Sequence, residues 1–324
     1  MTRHTRALLW LVFATVLWAI SFPIFKALLN HQQILVPGID GWHTASLSLV
    51  VRFVGSAIFL VFVCGRDLLR LRREEWHQGL GLGFFSGTGL LLQMDGLGYT
   101  AASTSAFLSQ FYCIVIPAWA CFLNRELPTK TLVVSCLGVV VGAAILSGLG
   151  PEGLHFGRGE IETLGASMMF AGQILWVEKA RYAKNRVLCS TFIMFLVIAV
   201  FMTPLAIYTS PSLATSIRLY STSFAWAMNV VLTLACTVGS YWIMNTWQRH
   251  VSASEAGLLY CVEPIFASGL AFVLPGWLSI WGGMNYPNEV LTRHLFAGAA
   301  LILGANILLQ WRGHRDRIPK GQSS

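Results

Sequence analysis

Glu263 stands inside a long apolar stretch of the sequence and is followed directly by Pro264. An ionisable side chain within lipid costs at least about 2.5–3.5 kcal/mol on insertion scales, so such a residue needs a physical reason. A helix that starts near Ser252 and rises by about 1.5 Å per residue carries Glu263 roughly 16 Å inward, near the middle of a bilayer. Two roles fit this position. Glu263 either contacts a solute amine or carries a proton, or it hydrogen-bonds a neighbouring helix and holds a kink at Pro264.

Two basic residues also lie within apolar stretches and likewise need a physical reason. Arg52 lies roughly 12 Å along its own apolar stretch, counted from the nearer end. Its guanidinium can bind a solute carboxylate through two parallel hydrogen bonds, or it can pair with Asp95, which is the pairing we expect. Lys26 falls about one turn from the membrane surface, and we expect its side chain to reach back to the interface.

Polar and aromatic side chains in the apolar stretches extend this set. Such groups gain nothing from lipid, so we expect them to face inwards and form a moderately polar, aromatic-lined cavity, although helix–helix hydrogen bonding or packing is the alternative for any single one. Together with Glu263 and Arg52, the predicted substrate-binding residues are Trp18, Ser21, Gln93, Gln110, Tyr112, Gln173, Trp176, Asn245 and Tyr260.

The elements that must position these residues are membrane-spanning helices. The 324 residues are 55% hydrophobic and only 11% charged, with a mean hydropathy of +0.64, whereas about a quarter of a soluble domain is charged. Apolar blocks of about 20 residues predict ten spans. They cover approximately 7–29, 44–65, 79–97, 101–123, 131–149, 162–179, 189–209, 224–247, 252–274 and 291–311.

The basic residues indicate how these spans are oriented. Of 22 Lys and Arg, seventeen fall on one side of the predicted membrane, and only Arg158, Arg218 and Arg293 fall on the other. This asymmetry predicts cytoplasmic termini in a plasma or inner membrane, and the net charge of +8 therefore indicates topology rather than a nucleic-acid partner. The apolar run after Arg6 is long enough to span and lacks a clear cleavage site, so we interpret it as a retained first helix.

A weak internal repeat divides the chain. Gly142-Ala-Ala-Ile-Leu is echoed by Gly304-Ala-Asn-Ile-Leu, and Leu17-Trp18 by Leu175-Trp176. Residues 1–150 and 151–324 then form two five-helix units, the second with a short basic tail, and an odd number of helices inverts the second unit. The predicted fold is an all-α membrane protein of two inverted repeats around a central cavity. Glycine ridges at Gly79, Gly83 and Gly87 and at Gly138 and Gly142 predict close helix packing and leave the oligomeric state open.

Several short motifs in order resemble the EamA-type members of the drug/metabolite transporter superfamily. They lie at residues 18–26, 52–53, 98–108, 125–128 and 263–264, and the likeness covers about residues 7–311 as two EamA units. The resemblance implies ten helices, inverted repeats, a central cavity and the transport of amino acids, other metabolites or drugs. Two features depart from the family pattern. Ala19 replaces the usual glycine, and the ninth-to-tenth connection, residues 275–290, is longer than usual.

The sequence contains no motif typical of an enzyme, a metal site or an ATP-driven transporter. The sequence contains no H-E-x-x-H, G-x-S-x-G or P-loop, and its seven cysteines form no C-x-x-C pair, so no catalytic site, metal, cofactor or direct use of ATP is predicted. An intramembrane enzyme, a channel and a non-transporting membrane partner remain alternatives. The sequence favours a secondary transporter that moves a small amphipathic or zwitterionic solute by alternating access.

Overall fold

The structure, a computed structural model, describes residues 3–125, 127–146, 157–177, 179–251, 256 and 259–315. Helices carry the fold, and no strand occurs within these ranges. This agrees with the physics of a lipid environment, where a helix satisfies its own backbone hydrogen bonds without water.

The helices of the first part of the chain precede the gap at residues 147–156. They are α1 (Arg3–Leu35), α2 (Gly41–Cys64), α3 (Arg73–Gly96), α4 (Ala102–Ser109), α5 (Tyr112–Asn124) and α6 (Lys130–Leu146). The second part contains α7 (Arg158–Val177), α8 (Val187–Tyr208), α9 (Leu213–Arg218), α10 (Ser223–Thr233), a π-helical segment (Leu234–Gly239), α11 (Ser240–Trp247), α12 (Glu263–Ala271), α13 (Leu274–Gly282) and α14 (Arg293–Arg315). Short 3₁₀ turns cover Gly65–Arg70, Ala180–Tyr182 and Gln248–His250.

All ten predicted spans coincide at least in part with helical residues, and the chain is an all-helical integral membrane protein. By length and composition, four described segments can cross a membrane: Arg3–Leu35, Gly41–Arg70, Val187–Tyr208 and Ser223–His250. The pair α12–α13, bent by 51°, adds a fifth if it is one span. The ten-span count and the inverted repeat therefore stay predictions. The predicted boundary at residues 150–151 and the predicted start at Ser252 lie outside the described residues.

Two predicted spans are broken rather than continuous. The span at 101–123 is divided into α4 and α5 by a turn at Gln110–Phe111, and a turn at Cys261–Val262 precedes α12. Pro264 occupies the first turn of α12, where its missing N–H removes no hydrogen bond. The proline therefore begins a helix instead of kinking a longer one.

The glycine ridges serve close helix packing, as predicted. A Cβ atom on Gly79 would lie 2.5 Å from Ile193, and one on Gly83 would lie 2.6 Å from Val197, so α3 and α8 approach closely only because these residues lack side chains. In the same way, a Cβ on Gly142 of α6 would lie 2.9 Å from the carbonyl oxygen of Gly298 in α14. Small residues thus allow close contact in two helix pairs, α3 with α8 and α6 with α14.

Candidate functional site

A buried cavity lies between the two parts of the chain. About 70 Å³ of it is open to the centre of a water-sized sphere, and one water needs roughly 10–15 Å³ by this measure. Eight of the eleven predicted site residues line it: Trp18, Ser21, Arg52, Gln93, Tyr112, Gln173, Tyr260 and Glu263. The cavity therefore combines one acid, one base, amides, a hydroxyl and aromatic rings.

Aromatic side chains form one wall of this cavity. The Trp18 ring packs edge-to-face against Tyr241 at 5.9 Å and against Tyr260 at 5.4 Å between centroids. The Tyr260 hydroxyl donates a hydrogen bond of 2.9 Å to Gln248 Oε1, which fixes the ring in place. The wall thus joins α1 to α11 and to the residues that precede α12.

Glu263 begins α12 and brings a carboxylate to the cavity. Its side chain is buried, and Gln110 Nε2 donates to its Oε2 at 3.3 Å. No basic side chain of the described residues forms an ion pair with it. A carboxylate in the first helical turn is favoured by the helix dipole. Gln110, a predicted site residue, does not line the cavity and instead contacts Glu263 from behind the wall.

Arg52 reaches the cavity from α2 and is held by the π-helical segment. Its Nε donates to Thr237 Oγ1, and its Nη2 donates to the carbonyl oxygen of Cys236 at 3.2 Å. Thr237 Oγ1 in turn donates to Leu232 O at 2.8 Å. A π-helical turn is wider than an α-helical one and often marks a functional site. Here it presents a backbone oxygen to a buried guanidinium.

The expected pairing of Arg52 with Asp95 is wrong. Asp95 forms an ion pair with Arg158, at the start of α7. The physical reason is position: Asp95 lies at the end of α3 next to the start of α7, whereas Arg52 faces the π-helical segment. Arg52 therefore has no carboxylate partner within the described part of the chain.

Neutral polar groups complete the wall. Gln93 Nε2 donates to Ser109 Oγ at 2.9 Å, which joins α3 to the end of α4. Ser21 Oγ donates to the carbonyl oxygen of Trp18 at 2.6 Å. Gln173 lies with its Nε2 atom 4.0 Å from the sulfur of Met244. These bonds set the orientation of the side chains that face the cavity.

Two predicted site residues, Trp176 and Asn245, do not line this cavity. Trp176 packs against Phe85 and Tyr182 near the end of α7, with Lys179 Nζ 3.6 Å above its ring, in space that Gly81 leaves open. Asn245 Nδ2 donates to Thr191 Oγ1 at 2.9 Å and joins α11 to α8. Both are helix-packing residues, the alternative that the sequence left open for every member of the set.

Sequence reasoning also missed part of the wall: Phe22, Leu90, Ser109, Phe170, Ile174, Tyr241 and Met244. Tyr241 carried a usable signal, because its hydroxyl stands in an apolar span just as that of Tyr260 does. The apolar members carried none, since an apolar residue is equally at home against lipid.

A segment that we call the strap, residues 283–292, joins α13 to α14 and contacts the start of α4. Glu289 Oε1 accepts hydrogen bonds from the backbone N–H groups of Ala102 at 2.8 Å and Ser103 at 3.4 Å, and its Oε2 accepts one from Ser103 Oγ. Ala101, the N-cap of α4, supplies no capping side chain, so Glu289 satisfies these first-turn donors from far along the chain. Ser109, at the other end of the eight-residue α4, lines the cavity roughly 11 Å away.

A polar cluster lies beside the strap. Arg158 donates to Glu162 at 2.8 Å and to the Tyr99 hydroxyl at 2.9 Å, and Thr100 donates to Glu160 at 2.7 Å. Lys26 donates to the carbonyl oxygen of Thr100, so its side chain joins α1 to the loop between α3 and α4. The expectation that it reaches the membrane interface stays a prediction. Together with Glu289, these bonds tie the two parts of the chain at this end.

A second link between the two parts lies near the start of α3 and the start of α8, which we call the basic end. Glu75 at the start of α3 accepts hydrogen bonds from Arg186 Nε at 2.7 Å and Nη2 at 2.8 Å, just before α8. Burial acts to raise the pKa of Glu75, but hydrogen bonds from Arg186 and from the Arg72 backbone outweigh it and hold that pKa below its ordinary value. The pair therefore stays charged at neutral pH.

The comparisons with known proteins agree with these observations. Residues 5–148 match the family described as the EamA-like transporter family. A protein of Archaeoglobus fulgidus named "Uncharacterized transporter" is 23% identical over 309 residues, which cover 94% of this chain and 85% of that protein. A solved structure titled "Crystal structure of protein" shares the fold with a TM-score of 0.57 at 15% identity, covering 94% of this chain and 98% of the other.

The family match and the named relative support a membrane transporter in general. The resemblance is confirmed for the first part of the chain, because the motifs at residues 18–26, 52–53, 98–108 and 125–128 fall on the matched segment, whereas the motif at 263–264 lies outside it. Residues 5–148 of this chain are thus similar to the EamA-like transporter family.

Proposed function

We propose that the protein is a secondary transporter that carries a small zwitterionic solute, such as an amino acid, by alternating access. One observation carries the proposal. A carboxylate at Glu263 and a guanidinium at Arg52 face the same buried cavity, and neither forms an ion pair within the described residues.

Burial of Glu263 and Arg52 without ion-pair partners among the described residues costs free energy. A buried charge is unfavourable unless it is paired and hydrogen-bonded. A solute with both an ammonium and a carboxylate group satisfies Glu263 and Arg52 at once. Its carboxylate meets the part of the guanidinium that Thr237 and Cys236 leave available. A solute of one charge satisfies only one residue and leaves the other charge unpaired.

The aromatic wall suits the rest of the solute. Trp18, Tyr241 and Tyr260 present ring faces and edges that accept an apolar side chain or stabilise the ammonium group. The small volume favours compact solutes in this conformation, and larger ones require the cavity to widen.

We infer the cycle from the position of the cavity. In the proposed arrangement, residues 1–150 and 151–324 are the two inverted repeats of five spans each, and they rock about the cavity so that it opens to one side at a time. The basic end, with the termini, faces the cytoplasm, as the distribution of Lys and Arg favours. The strap end then faces outwards, and Glu289 and Arg158 close it.

Energy coupling is a separate proposal that rests on Glu263. A buried carboxylate beside the solute can exchange its proton between the two open states and so couple transport to a pH gradient. Unchanged uptake into vesicles after the imposed gradient is collapsed would contradict this coupling.

A thermal-shift screen of the purified protein against the common amino acids tests the proposal. A ligand at 100 times its dissociation constant stabilises the folded state by about 2.7 kcal/mol, so a hit is visible. We expect at least one amino acid to raise the unfolding midpoint, and Glu263→Gln and Arg52→Lys to lose that shift. Glu74→Gln and Arg181→Lys, at an exposed ion pair away from the cavity, are the matched controls and should keep it. A shift that survives in both cavity variants would contradict the proposed site.

A further inference from the structure

Two cysteines from opposite parts of the chain meet beside the cavity. Cys113 lies in the first turn of α5, and Cys261 lies in the turn before α12. Their sulfur atoms are 3.8 Å apart although 148 positions separate them in the sequence. Cys113 lies next to the break between α4 and α5, and Cys261 lies in the break before α12. The two breaks are therefore close to each other at this point.

The pair lies next to residues that line the cavity. Both cysteines are buried, but each directly follows a tyrosine of the cavity wall, Tyr112 or Tyr260. The open volume of about 70 Å³ exceeds the roughly 10–15 Å³ that a water molecule needs, so a molecule the size of hydrogen peroxide fits. A disulfide bond of about 2.05 Å requires the two sulfurs to approach by only about 1.8 Å.

We propose that Cys113 and Cys261 form a dithiol modification site, which a peroxide oxidises to a disulfide that joins the two parts of the chain. One sulfur attacks a peroxide oxygen, the O–O bond breaks, and the released hydroxide takes up the thiol proton as water. The resulting sulfenic acid is then attacked by the second sulfur, the S–S bond forms, and a second water leaves. Two thiols and one peroxide thus become one disulfide and two waters.

The bond would act directly on the cavity. Gln110 and Glu263, which hydrogen-bond each other, lie within three residues of the two cysteines. A covalent link here fixes the start of α5 against the start of α12 and so fixes the Glu263 carboxylate. The site itself stands on the sulfur geometry and does not depend on the transport proposal.

The test uses the purified full-length protein, treated with a small excess of hydrogen peroxide and then denatured and alkylated. We expect the count of alkylated thiols to fall from the seven of the sequence to five, with recovery after reduction. Peptide mapping should find a peptide pair linked through Cys113 and Cys261. Slower backbone hydrogen exchange at the turns 110–111 and 261–262 should accompany the link.

Three variants make the result specific. Cys113→Ser and Cys261→Ser should each prevent the loss of thiols, whereas Cys236→Ser, a matched buried cysteine, should still lose two. The wild-type peptide map needs no variant, so a folding defect in one of them leaves the test intact. Seven alkylated thiols after oxidation, sulfinic acid on a single cysteine, or a link at another pair such as Cys64 and Cys189 would overturn the proposal.

Discussion

Arg52 illustrates how single residues set the chemistry of the cavity. Two oxygen atoms of the π-helical segment hold its guanidinium, so its position depends on a local irregularity of the helix. Glu263 is placed in a comparable way by Gln110. The chemistry of the cavity therefore depends on the residues that orient the two charged side chains as well as on Arg52 and Glu263.

Removing the Thr237 hydroxyl tests this arrangement. Thr237→Val keeps the shape of the side chain but removes the oxygen that accepts from Arg52 Nε, and hydrogen bonds to charged groups contribute about 1.5–3 kcal/mol. We expect the affinity for an amino acid found in the thermal-shift screen to fall by roughly 10- to 100-fold, as measured by calorimetry. Thr233→Val is the matched control, because its buried hydroxyl lacks a partner among the described groups, and its affinity should stay unchanged. Equal losses in both variants would contradict the role of Thr237.

At the scale of helices, the sequence predicted which residues are helical better than it predicted which way their side chains face. Helical residues coincide with all ten predicted spans, and eight of the eleven predicted site residues line the cavity. Trp176 and Asn245 do not line it, because a membrane helix is apolar on both its lipid face and its packing face, so the sequence pattern does not show which way a side chain points. The π-helical segment could not be predicted from the sequence either, because one extra residue in a helical turn does not change the amino-acid composition.

The cap that Glu289 provides for α4 leads to a prediction for this helix. Glu289→Gln removes the charge that the first-turn N–H groups bind, and a lost cap costs about 1 kcal/mol. We expect amide hydrogen exchange at Ala102 and Ser103 to become roughly fivefold faster. Exchange in α14 serves as the internal reference and should not change. Unaltered exchange at the start of α4 would show that the strap does not stabilise it.

The contact between α3 and α8 leads to a prediction about pH. The pKa of Glu75 lies below its ordinary value of 4.5, so its contribution to stability is fully present above that pH and is lost as the pH falls through the lowered pKa. Glu75→Gln should lower the free energy of unfolding by about 2 kcal/mol at pH 7, after allowance for the partial exposure of Arg186. Unfolding midpoints at pH 7 and pH 3.5 provide the comparison. The difference between variant and wild type should shrink at the lower pH, and a constant difference would contradict the ion-pair account.

At the scale of the whole molecule, contacts between the two parts of the chain lie at both ends of a buried cavity. Glu289 and Arg158 tie the strap end, and Glu75 and Arg186 tie the basic end. Alternating access requires these ties to open in turn. A disulfide engineered between Ser103→Cys and Glu289→Cys should therefore abolish exchange of a labelled amino acid in proteoliposomes, and reduction should restore it. Exchange that continues at the wild-type rate in the cross-linked protein would exclude the strap as a gate.

The central claim is that Glu263 and Arg52 together select a zwitterion, and charge-deleted analogues test it most directly. Calorimetry would compare one amino acid found in the screen with its amide, which keeps only the ammonium, and with its N-acetyl form, which keeps only the carboxylate. Each analogue leaves one buried charge unpaired, at a cost of at least about 1.4 kcal/mol, so we predict that each binds at least tenfold more weakly than the zwitterion. If either analogue binds as tightly as the parent amino acid, one of the two charges is not part of the site, and the account is contradicted.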